Sequence, residues 1–341
     1  MSDVLVSIKE HAGRITLNRP AVLNSLTHQM VTEIHRALDS FAGDDRVSLI
    51  IIDAMGDRAF CAGGDIVMLY NTGKSQPEIG RAFWRDEYRL NAAIARYPKP
   101  YVAILDGIVM GGGIGIGGHG SHRVVTERSV LAMPETAIGF APDVGGTRLL
   151  ALAPGRVGEY LAMTGGRMSG ADAIFAGFAD YFVPSDRLAA LIEALETTGD
   201  PASIARFAET PPPSELASHA GEIDAAFGAG DAVAIVARLQ GTPFGEKTSS
   251  IIARNSPFSV AAALAAVRLA RQNPDIESCL ALEYRFSHRA LESPDFYEGV
   301  RAAVIDKDRS PAWRPGQLAE VNPEAVHAAL ATLGPHEWTP L

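Results

Sequence analysis

Two acidic residues, Glu135 and Asp143, occur in a stretch that is otherwise apolar or rich in glycine and proline. Each directly follows a proline, Pro134 or Pro142. A carboxyl group among apolar side chains is a candidate for acid–base or nucleophilic chemistry, because desolvation shifts its pKa. A single acid of this kind is more often a capping or ion-pair partner. Two of them between apolar residues and turns favour a cleft, so we predict that both are catalytic candidates.

Two glycine-rich loops, Gly63-Gly64 and the run at residues 111–113, each precede a predicted helix. The first turn of a helix presents unpaired N–H groups, and glycine allows a ligand to approach the backbone closely. Two such groups converging on one oxygen form an oxyanion hole, in which each donor contributes about 3–4 kcal/mol. Taken alone, each loop is explained more simply by a tight turn. The glycine spacing fits a dinucleotide-binding fingerprint poorly.

The composition narrows the classes of partner. The chain has 341 residues, a formal net charge of -10 and two cysteines, Cys61 and Cys279. A basic surface for nucleic acid is not evident, although a local site can still bind an anionic ligand. The cysteine count predicts neither a disulfide framework nor a zinc cluster, and it favours a reducing cytoplasm. We expect no signal peptide and no membrane span, because no apolar window approaches about 20 residues.

The elements that must position these groups alternate between strand and helix. Apolar runs predict strands within residues 4–17 and at 47–52 and 102–105, and helical periodicity begins at Thr27. Further elements are predicted from the same patterns: helices from residue 66 and at 83–94, 157–164 and 171–176; a loop at 71–78; and short strands at 124–126, 130–132 and 181–183. Helical patterns dominate after residue 185. The order predicts an α/β fold with parallel strands, and it leaves a doubly wound sheet, a barrel and a coiled ββα superhelix open.

Several long motifs resemble those of the crotonase (enoyl-CoA hydratase/isomerase) superfamily. They are Leu-Asn-Arg-Pro with Leu-Asn-Ser-Leu at residues 17–26, Phe-Cys-Ala-Gly-Gly-Asp at 60–65, and Asp-Gly with Met-Gly-Gly-Gly at 106–113. Within the superfamily the chain is most similar to the 3-hydroxyisobutyryl-CoA hydrolases, through motifs at 83–88, 133–139, 142–146 and 296–308. The resemblance covers nearly the whole chain and is weakest between residues 198 and 248.

The resemblance implies a fold and a set of partners. The fold is a crotonase-like coiled ββα superhelix core over residues 1–200, followed by a mainly helical region over 201–341 that completes the CoA and acyl pocket. The substrate is an acyl-CoA thioester, so that no cofactor is needed beyond the CoA of the substrate, and no metal is expected. The family usually forms homo-oligomers, either trimers or dimers of trimers.

The resemblance also assigns roles to single residues. The amides of Gly64 and Gly112 form the oxyanion hole for the thioester carbonyl. Glu135 is the main catalytic carboxylate, Asp143 is its neighbour, and Glu87 contacts the acyl part. The residues expected to lie along the substrate are Asn24, Ser25, Leu26, Ala62 and Asp65.

One departure from the hydratases favours hydrolysis. Hydratases add water with two glutamates, and the first lies three residues after the middle glycine of the Gly-Gly-Gly motif. That position is Gly115 here, whereas the second glutamate corresponds to Glu135. The resemblance therefore implies hydrolysis of a short β-hydroxyacyl-CoA, as in valine breakdown. Whether Glu135 attacks the thioester or activates water stays open. A hydratase- or isomerase-type lyase and a non-catalytic CoA-binding protein are the alternatives.

Overall fold

The computed structural model describes residues 2–340, and within them the chain forms ten strands and sixteen α-helices. The strands are β1 Val4–Lys9, β2 Ala12–Leu17, β3 Leu49–Ala54, β4 Ala59–Cys61, β5 Tyr101–Leu105, β6 Ile108–Met110, β7 His122–Val125, β8 Val130–Ala132, β9 Met168–Ser169 and β10 Tyr181–Phe182. The helices are α1 His28–Ala42, α2 Ile66–Gly73, α3 Pro77–Ala95, α4 Gly112–Gly117, α5 Gly146–Leu152, α6 Val157–Thr164, α7 Gly170–Phe175, α8 Leu188–Thr198, α9 Glu215–Ser218, α10 Ala220–Phe227, α11 Ala232–Arg238, α12 Pro243–Ile252, α13 Pro257–Gln272, α14 Ile276–Ala290, α15 Pro294–Val300 and α16 Pro323–Leu330.

The chain divides into two compact units, and each is built from three separate stretches. The first unit comprises Met1–Gly64, Asp86–Ala132 and Met168–Ser214. It contains all ten strands, which form one sheet of six strands and one of four. The second unit is helical and comprises Asp65–Arg85, Met133–Arg167 and Glu215–Leu341. The division at residue 200 that we expect from the sequence stays a prediction.

The six-stranded sheet has the order β1-β2-β3-β5-β7-β10. Its first two strands form an antiparallel hairpin, and each later neighbour pairs in parallel. The apolar run of β3 is buried along nearly its whole length, as expected for a strand covered on both faces. One face packs against the apolar side of α8, including Leu191 and Leu195. The parallel arrangement predicted from the sequence is confirmed.

The four-stranded sheet positions the glycine loops. In its order β4-β6-β8-β9, the first three strands are parallel. Because neighbouring parallel strands end at the same edge of a sheet, the chain leaves β4 and β6 side by side, just before Gly63 and Gly111 respectively. Both glycines have positive φ angles, 110° and 47°, which other residues rarely adopt.

The second unit has a core of packed helices and aromatic rings. Helix α13 lies across α5 and α6, and α14 contacts both α5 and α13. The ring of Phe140 stacks on Trp84 with centroids 5.4 Å apart and meets Phe286 and Phe296 at 5.6 Å and 5.9 Å. Phe140 follows the 3₁₀ turn Glu135–Ile138, so this cluster fixes the chain beside a candidate catalytic residue.

Two local expectations are wrong, and each has a physical reason. The expected loop at residues 71–78 is mostly helical, because α2 continues to Gly73 and α3 already begins at Pro77. Proline is well suited to the first turn of a helix, where its missing N–H is not needed. Strand β6 was not expected, since only three residues separate its flanking loops.

No single helix within 2–340 is long and apolar enough to cross a membrane, although Pro243–Ile252 and Pro257–Gln272 together reach that length and composition across a bend of 110°.

Candidate active site

The two glycine loops meet beside a buried acid. A Cβ atom added to Gly112 would lie 3.2 Å from the Gly64 nitrogen, 3.1 Å from Leu26 Cδ1 and 2.6 Å from Glu87 Oε1. The four predicted residues therefore share one small space in the first unit. Gly112 begins α4, and within residues 2–340 neither its N–H group nor that of Gly64 donates a hydrogen bond to another group of the chain. Both amides are thus available to an added acceptor.

The chain around Leu26 is held directly against the Gly63-Gly64 loop. The Leu26 N–H group donates to the Gly63 carbonyl at 2.8 Å, and Ala62 donates to the Leu23 carbonyl at 3.0 Å. The two segments pair in parallel at Leu26 and Gly64. Leu26 and Ala62, two of the residues predicted along the substrate, therefore lie next to Gly64, a predicted oxyanion donor. Their contact with CoA stays a prediction.

Asn24 has a structural task of its own. Its buried amide nitrogen donates to the carbonyls of Met55 and Ala59 at 3.0 Å and 2.9 Å, and its Oδ1 accepts from the Arg19 N–H group. The Arg19 guanidinium in turn donates to the Ser25 carbonyl at 2.6 Å. The family resemblance assigns Asn24 and Ser25 to the substrate, and that contact stays a prediction. The structure shows that their polar groups also shape the loop that precedes Leu26.

Asp65 caps a helix. It is the N-cap residue of α2, and its side chain accepts a hydrogen bond from the Met68 N–H group at 3.1 Å. A carboxylate in this position also complements the positive end of the helix dipole. The predicted start of the helix at Ile66 is confirmed, and the predicted contact of Asp65 with substrate remains a prediction.

The acid Glu87 lies on α3 and is only 2% exposed. Its neighbour Asp86 accepts a hydrogen bond from the imidazole of His28, at 2.8 Å between Nε2 and Oδ2. The helix face that carries Glu87 therefore points into the protein. The charged residues around Glu87 in the sequence leave a solvated role open for this acid, and its burial rules that role out.

Glu135 lies in the second unit, where it opens the 3₁₀ turn Glu135–Ile138 and is 6% exposed. Other parts of the unit hold this turn in place. The Thr136 carbonyl accepts from the Ser256 N–H group at 3.0 Å, and the Thr136 hydroxyl accepts from the Asn255 amide at 3.1 Å. The turn is thus fixed by the residues just before α13, and a carboxylate on a fixed turn is well suited to catalysis.

Asp143 lies in the same unit and begins a tight loop that leads into α5. Its carbonyl accepts from the Gly146 N–H group at 2.7 Å. The next two residues, Val144 and Gly145, have φ angles of 56° and 78°. Asp143 itself is 7% exposed. The structure therefore shows that both acids are buried and that each stands at the start of a turn or tight loop.

The sequence analysis missed Glu283. This acid lies on α14, is 3% exposed, and accepts hydrogen bonds from Gly145 and Thr147 at the end of the Asp143 loop. Its sequence signal is its register: it falls on the buried face of α14, between Leu280 and Phe286. An acid on the apolar face of an amphipathic helix needs a polar partner, and that pattern could have identified it.

Cys61 is not a nucleophile. It is fully buried at the end of β4, and burial raises the pKa of its thiol to about 12. A thiol with so high a pKa is inert at neutral pH, because the thiolate is the reactive form. Cys61 is therefore a small, packed residue of the core. No cluster of three or more histidine, cysteine, aspartate or glutamate side chains suited to a metal ion occurs between residues 2 and 340.

A family comparison matches most of the chain. A model described as "Enoyl-CoA hydratase/isomerase" aligns with residues 12–330. The chain belongs to this family. The crotonase-like fold predicted from the sequence is confirmed, with parallel sheets and a helical C-terminal region.

Full-length relatives carry hydrolase names. The protein named "3-hydroxyisobutyryl-CoA hydrolase, mitochondrial" from Gallus gallus is 41% identical over 98% of this chain and 90% of its own length. The Homo sapiens protein of the same name is 40% identical over 97% of this chain and 89% of its own. The resemblance to these hydrolases, first seen in short motifs, therefore extends along the whole chain.

Two solved structures carry different names. One titled as a carnitinyl-CoA dehydratase from Mycobacterium thermoresistibile is 45% identical, with a TM-score of 0.96 over 99% of both chains. One titled as an enoyl-CoA hydratase from Rhodobacter sphaeroides is 49% identical, with a TM-score of 0.94 over 99% of this chain and 100% of its own. The relatives thus agree on CoA thioesters and differ on the reaction.

Proposed function

We propose that this protein hydrolyses 3-hydroxyisobutyryl-CoA, or a closely similar short β-hydroxyacyl-CoA, to the free acid and CoA, a step of valine breakdown. The observation that carries the choice of hydrolysis is the glycine at position 115, buried in α4. A hydratase carries its first acid there, and water addition needs two acids on opposite sides of the water. Names of the relatives that are about 40% identical support the same reaction.

In the proposed mechanism, the amides of Gly64 and Gly112 bind the thioester oxygen. They are suited to this because neither donates elsewhere within residues 2–340. Negative charge grows on that oxygen when the carbonyl carbon is attacked, so fixed donors stabilise the transition state more than the substrate. Glu87, whose carboxylate closes the space beside Gly112, contacts the acyl group and selects among short acyl chains.

The carboxylate of Glu135 supplies the attack on the carbonyl carbon. It either adds directly, giving an anhydride that water then cleaves, or removes a proton from the attacking water. In both routes the carbon–sulfur bond breaks, the acyl carbon gains a water oxygen overall, and the thiolate of CoA leaves with a proton. Asp143 positions the water or delivers that proton.

The oligomer and the location of the protein are parts of this proposal. We infer a trimer, or a dimer of trimers, from membership of the family. We propose a cytoplasmic location, which the low cysteine count favours, whereas the vertebrate relatives are named as mitochondrial.

A hydratase-type lyase is the second candidate, because the two solved structures that are 45% and 49% identical are titled as a dehydratase and a hydratase. The two reactions leave different products. Hydrolysis releases a free thiol, whereas dehydration gives an enoyl thioester with its own ultraviolet absorbance and leaves the thioester intact.

The deciding experiment measures both products with 3-hydroxyisobutyryl-CoA. We expect one free thiol for each thioester consumed and no gain of enoyl absorbance. The Glu135→Gln variant should lose about 100-fold or more of the rate, as expected for a lost general base, and should bind CoA as the wild type does. Enoyl absorbance without thiol release, or a Glu135→Gln variant that hydrolyses at the wild-type rate, would contradict the proposal.

A further inference from the structure

Glu283 reaches the loop of Asp143 from a helix far away in sequence. Its Oε2 accepts from the Gly145 N–H group at 2.7 Å, and its Oε1 accepts from the N–H and hydroxyl groups of Thr147 at 2.8 Å and 2.6 Å. Both oxygens of the carboxyl group are therefore used. Burying an acid is unfavourable unless its oxygens are satisfied, so these three bonds explain why the acid can remain in the core.

The loop that Glu283 holds has an unfavourable backbone. Val144 and Gly145 are successive residues with φ angles of 56° and 78°. Valine rarely adopts such a conformation, because its branched side chain crowds the backbone. The chain must turn in this way for the Gly145 N–H group to point toward Glu283. An unfavourable conformation persists only when surrounding contacts impose it, and it is frequent at active sites.

Glu283 also takes the place of an N-cap side chain for helix α5. Helix α5 begins after Gly145, which has no side chain to accept a bond from the first turn. Serine, threonine or aspartate at that position would provide one. Here the acceptor comes from α14 instead, so the start of α5 and the loop before it are fixed to a second element.

The carboxyl groups of Glu283 and Asp143 are close enough to influence each other. The pKa of Glu283 is raised to about 8. Burial is the largest cause, the hydrogen bonds from Thr147 and Gly145 oppose the rise, and the negative charge of Asp143 adds to it. A change at Glu283 therefore affects Asp143 in two ways, through the backbone of the loop and through the electrostatic interaction between the two carboxyl groups.

We propose that Glu283 is a positioning residue for the reaction, which holds the loop from Asp143 to Thr147 so that the Asp143 carboxylate keeps its productive place. This inference rests on the proposed role of Asp143 in hydrolysis. It predicts that Glu283 acts on the rate through Asp143, and that it leaves the binding of the CoA portion unchanged.

The test is a cycle of variants. Glu283→Gln places an NH₂ group against an N–H or O–H donor and so disturbs the loop. We expect kcat to fall about 100-fold, the loss typical of a misplaced catalytic group, and KM to change by less than two-fold. Added to Asp143→Asn, the same change should lower kcat by less than two-fold further, because the residue it positions is already disabled. The proposal would be overturned if the losses in kcat of the two single variants multiply in the double variant, or if Glu283→Gln leaves kcat unchanged.

Thr147 supplies a matched pair that leaves the buried acid in place. Thr147→Ser keeps the hydroxyl donor and should retain kcat within about two-fold, whereas Thr147→Val removes one of the three bonds and should lower kcat about ten-fold at unchanged KM. The inference is wrong if the two variants have the same kcat. This pair keeps the inference testable even where Glu283→Gln folds poorly.

Amide hydrogen exchange gives a readout that does not depend on activity. In Thr147→Val the amides of Gly145 and Thr147 should exchange faster than in Thr147→Ser, while those of the β3 strand should not change. Equal exchange in both variants would refute the positioning role. Wild-type thiol release reports separately on the proposed function, and the cycle is run with whichever CoA thioester the wild type converts.

Discussion

At the scale of single residues, the site depends on a side chain that is missing. The space where a Cβ of Gly112 would stand is bounded by the Gly64 nitrogen, Leu26 and the Glu87 carboxylate. Any larger residue would push the two amides and the acid apart. The glycine is therefore required by the contacts around it, and not only by the turn that precedes α4.

Gly112→Ala tests this requirement. The added methyl would lie 2.6 Å from Glu87 Oε1 and must displace it or the loop. We expect kcat/KM for thioester hydrolysis to fall about 100-fold, the loss seen when one oxyanion donor is removed. Gly43→Ala is the matched control, because a Cβ there meets nothing within 4 Å, and it should keep wild-type activity. Comparable rates for the two variants would show that the amides are not donors to the substrate.

The sequence predicts the residues of the site unevenly. Glu135 and Asp143 can be singled out because acids rarely stand in apolar surroundings, whereas Gly64 and Gly112 are singled out within their loops by the family resemblance. Glu283 could not be paired with the Asp143 loop in this way, since its partners lie more than 100 residues earlier and two of the three are backbone N–H groups. Backbone donors leave no trace in the residue types, so only the folded chain reveals them.

At the scale of elements, the 3₁₀ turn that carries Glu135 packs backbone to backbone against α15. A Cβ on Gly139 would lie 2.1 Å from the Asp295 carbonyl oxygen, and one on Gly299 would lie 2.3 Å from the Ile138 carbonyl carbon. The Asp295 carboxylate is held by the Ser256 hydroxyl at 2.6 Å and by the Arg314 N–H group at 2.8 Å. The C-terminal helices thus set the place of the turn.

Gly139→Ala and Gly177→Ala separate strain from crowding. Both glycines have similar positive φ angles, 72° and 78°, but only Gly139 has atoms in the way, since nothing lies within 4 Å of a Cβ on Gly177. We expect Gly177→Ala to lower the free energy of unfolding by about 1 kcal/mol through backbone strain. Gly139→Ala should lose about 2 kcal/mol more from overpacking. Chemical denaturation measures the free energy of unfolding of both variants. Equal losses would show that α15 can move away from the added methyl without a cost in stability.

Elements differ in how far the sequence predicts them. Helix α6 was expected at residues 157–164 and occupies Val157–Thr164, because its apolar periodicity ends at a glycine pair. Helix α5, Gly146–Leu152, was not expected, since it is short and begins at a glycine without a capping side chain. Its cap is Glu283, which comes from another helix. Local patterns predict elements that are stabilised locally, and they miss those that tertiary contacts complete.

At the scale of the whole molecule, neither compact unit is a continuous piece of chain. The second unit takes residues 133–167 from the middle of the sequence and the helices after residue 215 from its end. Helix α13 from the end packs on α5 and α6 from the middle. The last strand ends at Phe182, and the helical unit takes residues from both sides of the division expected at residue 200.

A fragment of residues 1–200 tests whether the predicted core can stand alone. Without α13, helices α5 and α6 would lose a helix that packs on both of them. These two helices carry apolar side chains that are buried in the full chain, including Leu149, Leu150 and Leu161. Because a large exposed apolar patch promotes aggregation, we expect the fragment to be insoluble or to bind a hydrophobic dye.

Co-expression of 1–213 with 214–341 is the matched control, since this cut falls in a proline-rich stretch without helix or strand and leaves every helix of the second unit intact. The pair should copurify and release thiol from the substrate, because α13 can still pack on α5 and α6. A soluble 1–200 fragment with a cooperative thermal transition would instead establish it as an independent domain.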